Sequence, residues 1–363
     1  MGLRERIPVA SSNQLWTRSA TVALTALTLL MSAPAQQPAS TPNPAPPGRL
    51  IDVGGWRIHL NCSGENKSRT PTVVLESGSG DFSFDWSLVQ PGVARFSRVC
   101  SYDRAGNAWS DLGPRPRTMK QIAYELHTAL IKLGINPPYV MVGQSLGGLL
   151  VRIFAAEYPK EVAGMVLVDS THEDTKLFMN GKIQRMRELT QHRKIPPIQT
   201  SISAADKTLS VEERQQIDGF LKQIGPPKIE PPFNQLPSET QQMRLWALAQ
   251  PQHYAADNDP YMAEEFAEIH SSRKTGEFPL GDLPLIVMTR SKSEYPDTDI
   301  GKQLDEERNR MQLDLLHLSR NSKQIVAQAS GHHIQLNRPS LVVGAIREVV
   351  DASLHHKKLT ASR

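Results

Sequence analysis

Two short stretches of this 363-residue chain carry residue types that could do covalent chemistry together. The first is Gly143-Gln144-Ser145-Leu146-Gly147, set between an apolar run (YVMVG, 139–143) and a helical pattern beginning LGGLLVRIFAAEY. Glycines two positions either side of a serine suit a very tight strand-to-helix turn, in which the serine takes a strained backbone and the strand and helix approach without clashing side chains. Such a turn lifts the hydroxyl onto a helix N-terminus, where backbone N–H groups and the helix dipole favour a developing anion. A serine hydroxyl is a weak nucleophile without a base. The second stretch, Ser330-Gly331-His332-His333, supplies one directly after the last strand-like run and before the last helical pattern. His332 is assigned as the general base, and His333 is assigned to packing or hydrogen bonding.

These residues need a sheet edge to bring them together. From Arg49 to Asp169 short β-branched runs alternate with helical patterns, as in strands joined by crossover helices. The expected strands are 49–53, 56–62, 72–77, 98–103, 139–143 and 164–169, with Gly54-Gly55 turning the first pair into a hairpin. Thr118 and Gln121 form a capping-box pattern and Gly134 stands at a helix C-cap position, bracketing one helix. Between Ser170 and Leu280 the text is helical with Pro-rich joints and no convincing strand, with capping-box patterns at Ser210 and Ser238. Strands resume at 283–288 and 324–329, with helices expected near Glu306 to Ser319 and Ser340 to Ala352.

The ends read differently. Arg4, Arg6 and Arg18 precede an uncharged apolar run from Ala20 to Met31 and then Ala33-Pro34-Ala35, the pattern of a secretory signal peptide cut near Ala35. The expected organisation is a signal peptide at 1–35, a Pro-rich linker at 36–48 and a core at 49–169. A helical insertion at 170–280, the rest of the core at 281–352 and a solvated tail at 353–363 follow. With 41 Lys and Arg against 37 Asp and Glu, the chain is too weakly charged to favour nucleic acid. No stretch reaches the roughly 18 apolar residues of a membrane span. His172, Glu173 and Asp174 lack further Cys or His at ligand spacing, so no metal and no cofactor are expected. Oligomeric state is not legible.

Taken together, GQSLGG, SYDRAGNAWSD (101–111), LVDS (167–170) and SGHHIQLNRP (330–339) resemble the α/β-hydrolase fold superfamily. The resemblance implies an α/β architecture with a mostly parallel eight-stranded sheet flanked by helices, and a lid between strands six and seven, where the helical insertion falls. It implies a nucleophile at Ser145, a base at His332 and an acid that orients it. The commonest position for that acid, after strand seven, is met here by Lys292 and Ser293. Asp169, at the end of strand six, is the preferred acid, with Glu294, Asp297 and Asp299 as alternatives. An oxyanion hole would come from the amides of Leu146 and Ser79, the latter within Ser77-Gly78-Ser79 where the family usually carries His-Gly-x. Arg104 reads better as half of a buried ion pair than as a substrate contact. If strands two and four are neighbours, as the fold implies, a Cys62–Cys100 disulfide is possible, with two separate buried thiols as the alternative.

The expected activity is that of an exported serine hydrolase, secreted or periplasmic, acting on a small carboxylic ester or related acyl substrate. Amidases, lactonases, acyltransferases, cofactor-free haloperoxidases and carbon–carbon hydrolases share the constellation, and a non-catalytic binding protein on the same fold is the rival. Serine at the turn argues against epoxide hydrolases and haloalkane dehalogenases, which use aspartate. Phe220, Phe233, Trp246, Tyr254, Tyr261 and Phe266 could line an acyl pocket or pack the insertion itself.

Overall fold

The structure, a computed structural model, describes residues 43–359 except 68, 180, 257, 258 and 274–276. The expected signal peptide and most of the Pro-rich linker lie outside the described residues. The strands are β1 (Arg49–Asp52), β2 (Arg57–Ser63), β3 (Thr72–Glu76), β4 (Val99–Asp103), β5 (Tyr139–Gln144), β6 (Val162–Val168), β7 (Lys176–Met179), β8 (Lys182–Arg185), β9 (Leu285–Arg290) and β10 (Ser322–Ala327). The helices are α1 (Gln90–Val93), α2 (Met119–Lys132), α3 (Leu146–Glu157), α4 (Val211–Ile224), α5 (Ser238–Leu248), α6 (Pro251–Ala256), α7 (Met262–Ser272), α8 (Asp299–Asp314), α9 (Ile334–Asn337) and α10 (Pro339–His355).

Eight strands form one sheet in the order β1-β2-β4-β3-β5-β6-β9-β10. The β1–β2 and β2–β4 pairs are antiparallel and the rest parallel. Parallel strands joined through helices are covered on both faces, which is why their sequences read as continuous apolar runs. In β5, Tyr139 and Met141 enter one core with Leu126, Leu130 and Phe154, while Val140 and Val142 enter the other with Val342, Ile346 and Val349. Each such fully buried side chain contributes roughly 1.5–3 kcal/mol of hydrophobic stabilisation.

Local signals place several elements as the sequence predicts. The Thr118 hydroxyl accepts from the Gln121 amide at the start of α2, although Gln121 turns its side chain to Glu125 and Gln199 rather than closing a box. Gly134, at φ 77°, follows the C-cap of α2. Ser210 and Glu213 form the reciprocal box that starts α4. Ser238 caps nothing, because Pro237 is the N-cap of α5. Cys62 and Cys100 stand directly opposite each other on antiparallel β2 and β4 and are joined by a disulfide.

The insertion between β6 and β9 corrects the reading of an all-helical segment. It begins with an antiparallel hairpin, β7–β8, before α4 to α7. Two later helices also differ in extent. Helix α8 starts at Asp299, where the Thr298 hydroxyl accepts from the Gly301 amide, seven residues before the expected start. Helix α10 runs to His355, into the expected tail. Among the described residues, no helix is long and apolar enough to cross a membrane.

Candidate active site

Ser145 occupies the turn between β5 and α3 with φ 52° and ψ −124°, a strained backbone for a non-glycine residue. The neighbouring glycines are steric requirements. A Cβ on Gly143 would lie 2.3 Å from the Gly147 carbonyl oxygen, and one on Gly147 would lie 2.6 Å from that of Glu76. The turn is pinned to the next strand, because the Ser145 amide donates to the Val168 carbonyl at 3.1 Å and the Thr171 amide donates to the Ser145 carbonyl at 2.9 Å.

Those bonds bring Asp169 beside the turn. Asp169 follows β6 directly, has φ 44°, and donates its amide to the Met288 carbonyl of β9 at 2.8 Å. Its Oδ2 lies 2.6 Å from His332 Nδ1, on the loop between β10 and α9. Arg290 Nη1 donates to the same oxygen at 2.9 Å, and Oδ1 accepts from Arg308 Nη1 at 2.7 Å and the Arg290 amide at 3.2 Å. Burial opposes ionisation of this carboxyl. The His332 hydrogen bond and charge, then the two guanidiniums, outweigh that burial and hold it well below the usual carboxylate range.

His332 is fixed from three sides. Besides Asp169 on its ring, its amide donates to Glu294 Oε1 at 2.6 Å and its carbonyl accepts from Gln144 Nε2, beside Ser145, at 3.5 Å. A Cβ on Gly331 would meet Glu294 Oε1 at 2.4 Å, so this carboxylate also fixes the residue type before the histidine. The three alternative acids therefore do not orient the imidazole. Glu294 holds the main chain of the loop, Asp297 pairs with Lys302 while 90% exposed, and Asp299 opens α8 at the surface. Sequence reasoning missed Arg290 and Arg308. Arg290 ends β9 and reaches back to Asp169.

The loop after β3 comes against the turn as well, since a Cβ on Gly78 would lie 3.2 Å from Ser145 Cβ. Arg104 Nη1 donates to the Ser77 carbonyl at 3.1 Å, Nη2 donates to the Gly78 carbonyl, and Nη1 pairs with Glu76 at 3.3 Å. Arg104 is thus the loop-shaping ion pair expected. Burial pushes the Glu76 carboxyl up to about 7, against the pull of Arg104 and the hydrogen bond from Tyr102. Ser79 and Leu146 line one cavity of ≈ 30 Å³ together with Met119, Ile122, Leu150 and Met262. None of the six aromatic residues of the insertion lines it. Phe266 packs into the core, and Phe233 and Trp246 face Arg244 and Trp109. His172, Glu173 and Asp174 are engaged in ion pairs with Asp314, Arg152 and Arg187.

The sequence profile of the α/β-hydrolase fold matches residues 71–217, which include Ser145 and Asp169. A protein of Gibberella zeae described as an AB hydrolase superfamily protein is 24% identical over 299 residues, 78% of this chain and 87% of its own length. An uncharacterised vacuolar membrane protein of Saccharomyces cerevisiae is 34% identical over 147 residues, 36% of this chain and 22% of its own length. Four of the curated relatives matched at 31% to 34% identity are much longer, and the alignments span 19% to 28% of their length, while two others, at 31% and 32%, are matched over 42% and 37% of theirs. A thermophilic esterase from Thermogutta terrifontis superposes with a TM-score of 0.56 at 19% identity, over 84% of this chain and 98% of that one. With its strand order and its strand-turn-helix serine, the chain has the α/β-hydrolase fold.

Proposed function

We propose that the chain is an exported serine hydrolase that cleaves small carboxylic esters through an acyl-enzyme at Ser145. The observation that carries this reading is the 2.6 Å contact of His332 Nδ1 with an ionised, buried Asp169 at the strand end bonded to the Ser145 turn. With Nδ1 bound to Asp169, Nε2 is the ring nitrogen left to serve the nucleophile.

In this mechanism Ser145 Oγ attacks the ester carbonyl as His332 Nε2 takes its proton. The tetrahedral oxyanion is held by the Leu146 and Ser79 amides. The imidazolium returns the proton to the leaving alkoxide, giving the acyl-enzyme and an alcohol. A water activated by the same nitrogen then releases the carboxylic acid and regenerates the serine. Asp169 keeps the tautomer and stabilises the imidazolium without taking its proton. The cavity at Ser79 and Leu146 favours a short acyl group, and the insertion serves as the lid over it. Export is supported by the basic and apolar N-terminal pattern and by the Cys62–Cys100 disulfide, a bond that persists in oxidising compartments.

A fluorophosphonate probe tests the nucleophile. Wild type is expected to be labelled covalently and Ser145→Ala not at all, and labelling that survives this substitution would refute the assignment. Absence of labelling in a folded wild type would favour the non-catalytic binding protein.

A further inference from the structure

One buried cation of the insertion reaches into the catalytic loops. Arg244, on α5, is 7% exposed. Its Nη2 lies 3.2 Å from Asp81 Oδ1 and its Nη1 donates to Asp85 Oδ2. The guanidinium carbon stands 3.4 Å from the centre of the Phe233 ring, and that ring makes a T-shaped contact with His333 at a centroid distance of 4.7 Å. His333 Nε2 in turn lies 3.4 Å from Asp81 Oδ2. Asp81 is therefore gripped on one oxygen by the insertion and on the other by the residue that follows His332.

The position of Asp81 gives this grip its consequence. Its amide donates to the Gly78 carbonyl at 3.4 Å, closing the turn that contains Ser79. Arg104 holds the carbonyl side of the same turn at Ser77 and Gly78. An amide that must meet an oxyanion at hydrogen-bonding distance depends on the rigidity of its turn, and a misplacement near 1 Å can cost about a hundredfold in rate.

Resting on the serine-hydrolase reading above, we infer that Arg244 is a positioning residue for catalysis: by clamping Asp81 against His333 it fixes the turn that presents the Ser79 amide. The insertion is then part of the oxyanion machinery as well as its cover. Arg244 touches no reacting atom and acts through Asp81.

The test compares wild type, Arg244→Met, Arg244→Lys, Asp81→Asn and the Arg244→Met/Asp81→Asn double variant, by ester turnover and by the rate of fluorophosphonate labelling. Arg244→Met is expected to lower kcat and the labelling rate in parallel, on the order of tenfold to a hundredfold, with KM changed less than about threefold. Arg244→Lys should recover part of the loss, and the double variant should lose little more than either single one, because both act on one contact. Wild-type kcat and labelling in Arg244→Met, a loss confined to KM, or additive losses in the double variant would each overturn the proposal. If Arg244→Met does not fold, Asp81→Asn decides from the other side of the contact: unchanged kcat there overturns the clamp. A wild type that resists the probe would remove the nucleophile assignment and this role with it. A labelled wild type with an equally labelled Arg244→Met removes this role alone.

Discussion

Asp169 and His332, 163 positions apart in the chain, meet at 2.6 Å at the end of the sheet. The carboxylate that makes this contact also receives two guanidiniums, from Arg290 at the end of β9 and Arg308 on α8. In the commoner arrangement the end of β9 leads to the acid. Here it supplies a cation that holds the Asp169 carboxylate after the neighbouring strand. The carboxylate is thereby fixed in direction on both oxygens and kept ionised.

Asp169→Asn should leave the histidine near its place while favouring the wrong tautomer, and kcat is expected to fall by about 10⁴. Asp297→Asn, at an exposed carboxylate paired with Lys302, is expected to stay within about twofold. Steady-state ester hydrolysis by the two purified variants checks this, with melting curves alongside, since Asp169→Asn removes a counter-charge shared by Arg290 and Arg308. Equal losses in the two variants would sink the assignment of the acid.

The cavity beside Ser79 and Leu146 is narrow, at ≈ 30 Å³, and is lined in part by Met119, Ile122, Leu150 and Met262. Acetyl esters are expected to be the best substrates of a p-nitrophenyl series. Forcing added methylenes against Met119, Ile122, Leu150 and Met262 costs about 1–3 kcal/mol, so kcat/KM should fall by about tenfold or more by the octanoyl ester. Met262→Ala should shift the optimum to longer chains. A wild-type profile that rises with chain length would contradict this placement of the acyl group.

Glu76 gives a pH signature of stability. Its carboxyl titrates near 7 in the folded chain, because burial outweighs Arg104 and Tyr102, against about 4.3 in an unfolded one. Between those values the folded state binds more protons than the unfolded state, so this group makes stability fall as pH rises from about 4.3 to 7 and adds no slope beyond. Denaturant unfolding across that range should show Glu76→Gln removing up to about 1.4 kcal/mol per pH unit of the fall. The same slope in wild type and variant would show that the carboxyl ionises in the fold as it does in water.

The core strands were legible because β3, β5, β6 and β9 are buried on both faces and read as unbroken apolar runs, each placed within two residues or so of its observed limits. The β7–β8 hairpin was not, since its strands are four residues long and largely half-buried or exposed, with little apolar alternation. The signal that could have found it is the Asn180-Gly181 dipeptide between them, a favoured two-residue hairpin loop. Helix α8 was placed late because its first two turns bear few apolar residues, while its Thr298 cap was overlooked. At the candidate site, the tight turn at Ser145 and the loop at His332 are legible from the glycines that they demand. Asp169 is preferred over Glu294, Asp297 and Asp299 in the sequence, but which carboxylate meets His332 depends on how the loop after β9 folds back. Arg244 was invisible for a related reason: its partners Asp81 and Asp85 lie about 160 residues earlier, and no local pattern marks a contact at that range.

The Cys62–Cys100 bond closes a loop across the antiparallel end of the sheet, and loop-entropy arguments give such a crosslink about 3–4 kcal/mol. That is a sizeable share of the 5–15 kcal/mol by which ordinary domains stay folded. Material made in a reducing bacterial cytosol would leave the ribosome without this crosslink and spend more time partly open, exposed to proteases. The yield of intact protein is therefore coupled to the thiol chemistry of the host compartment.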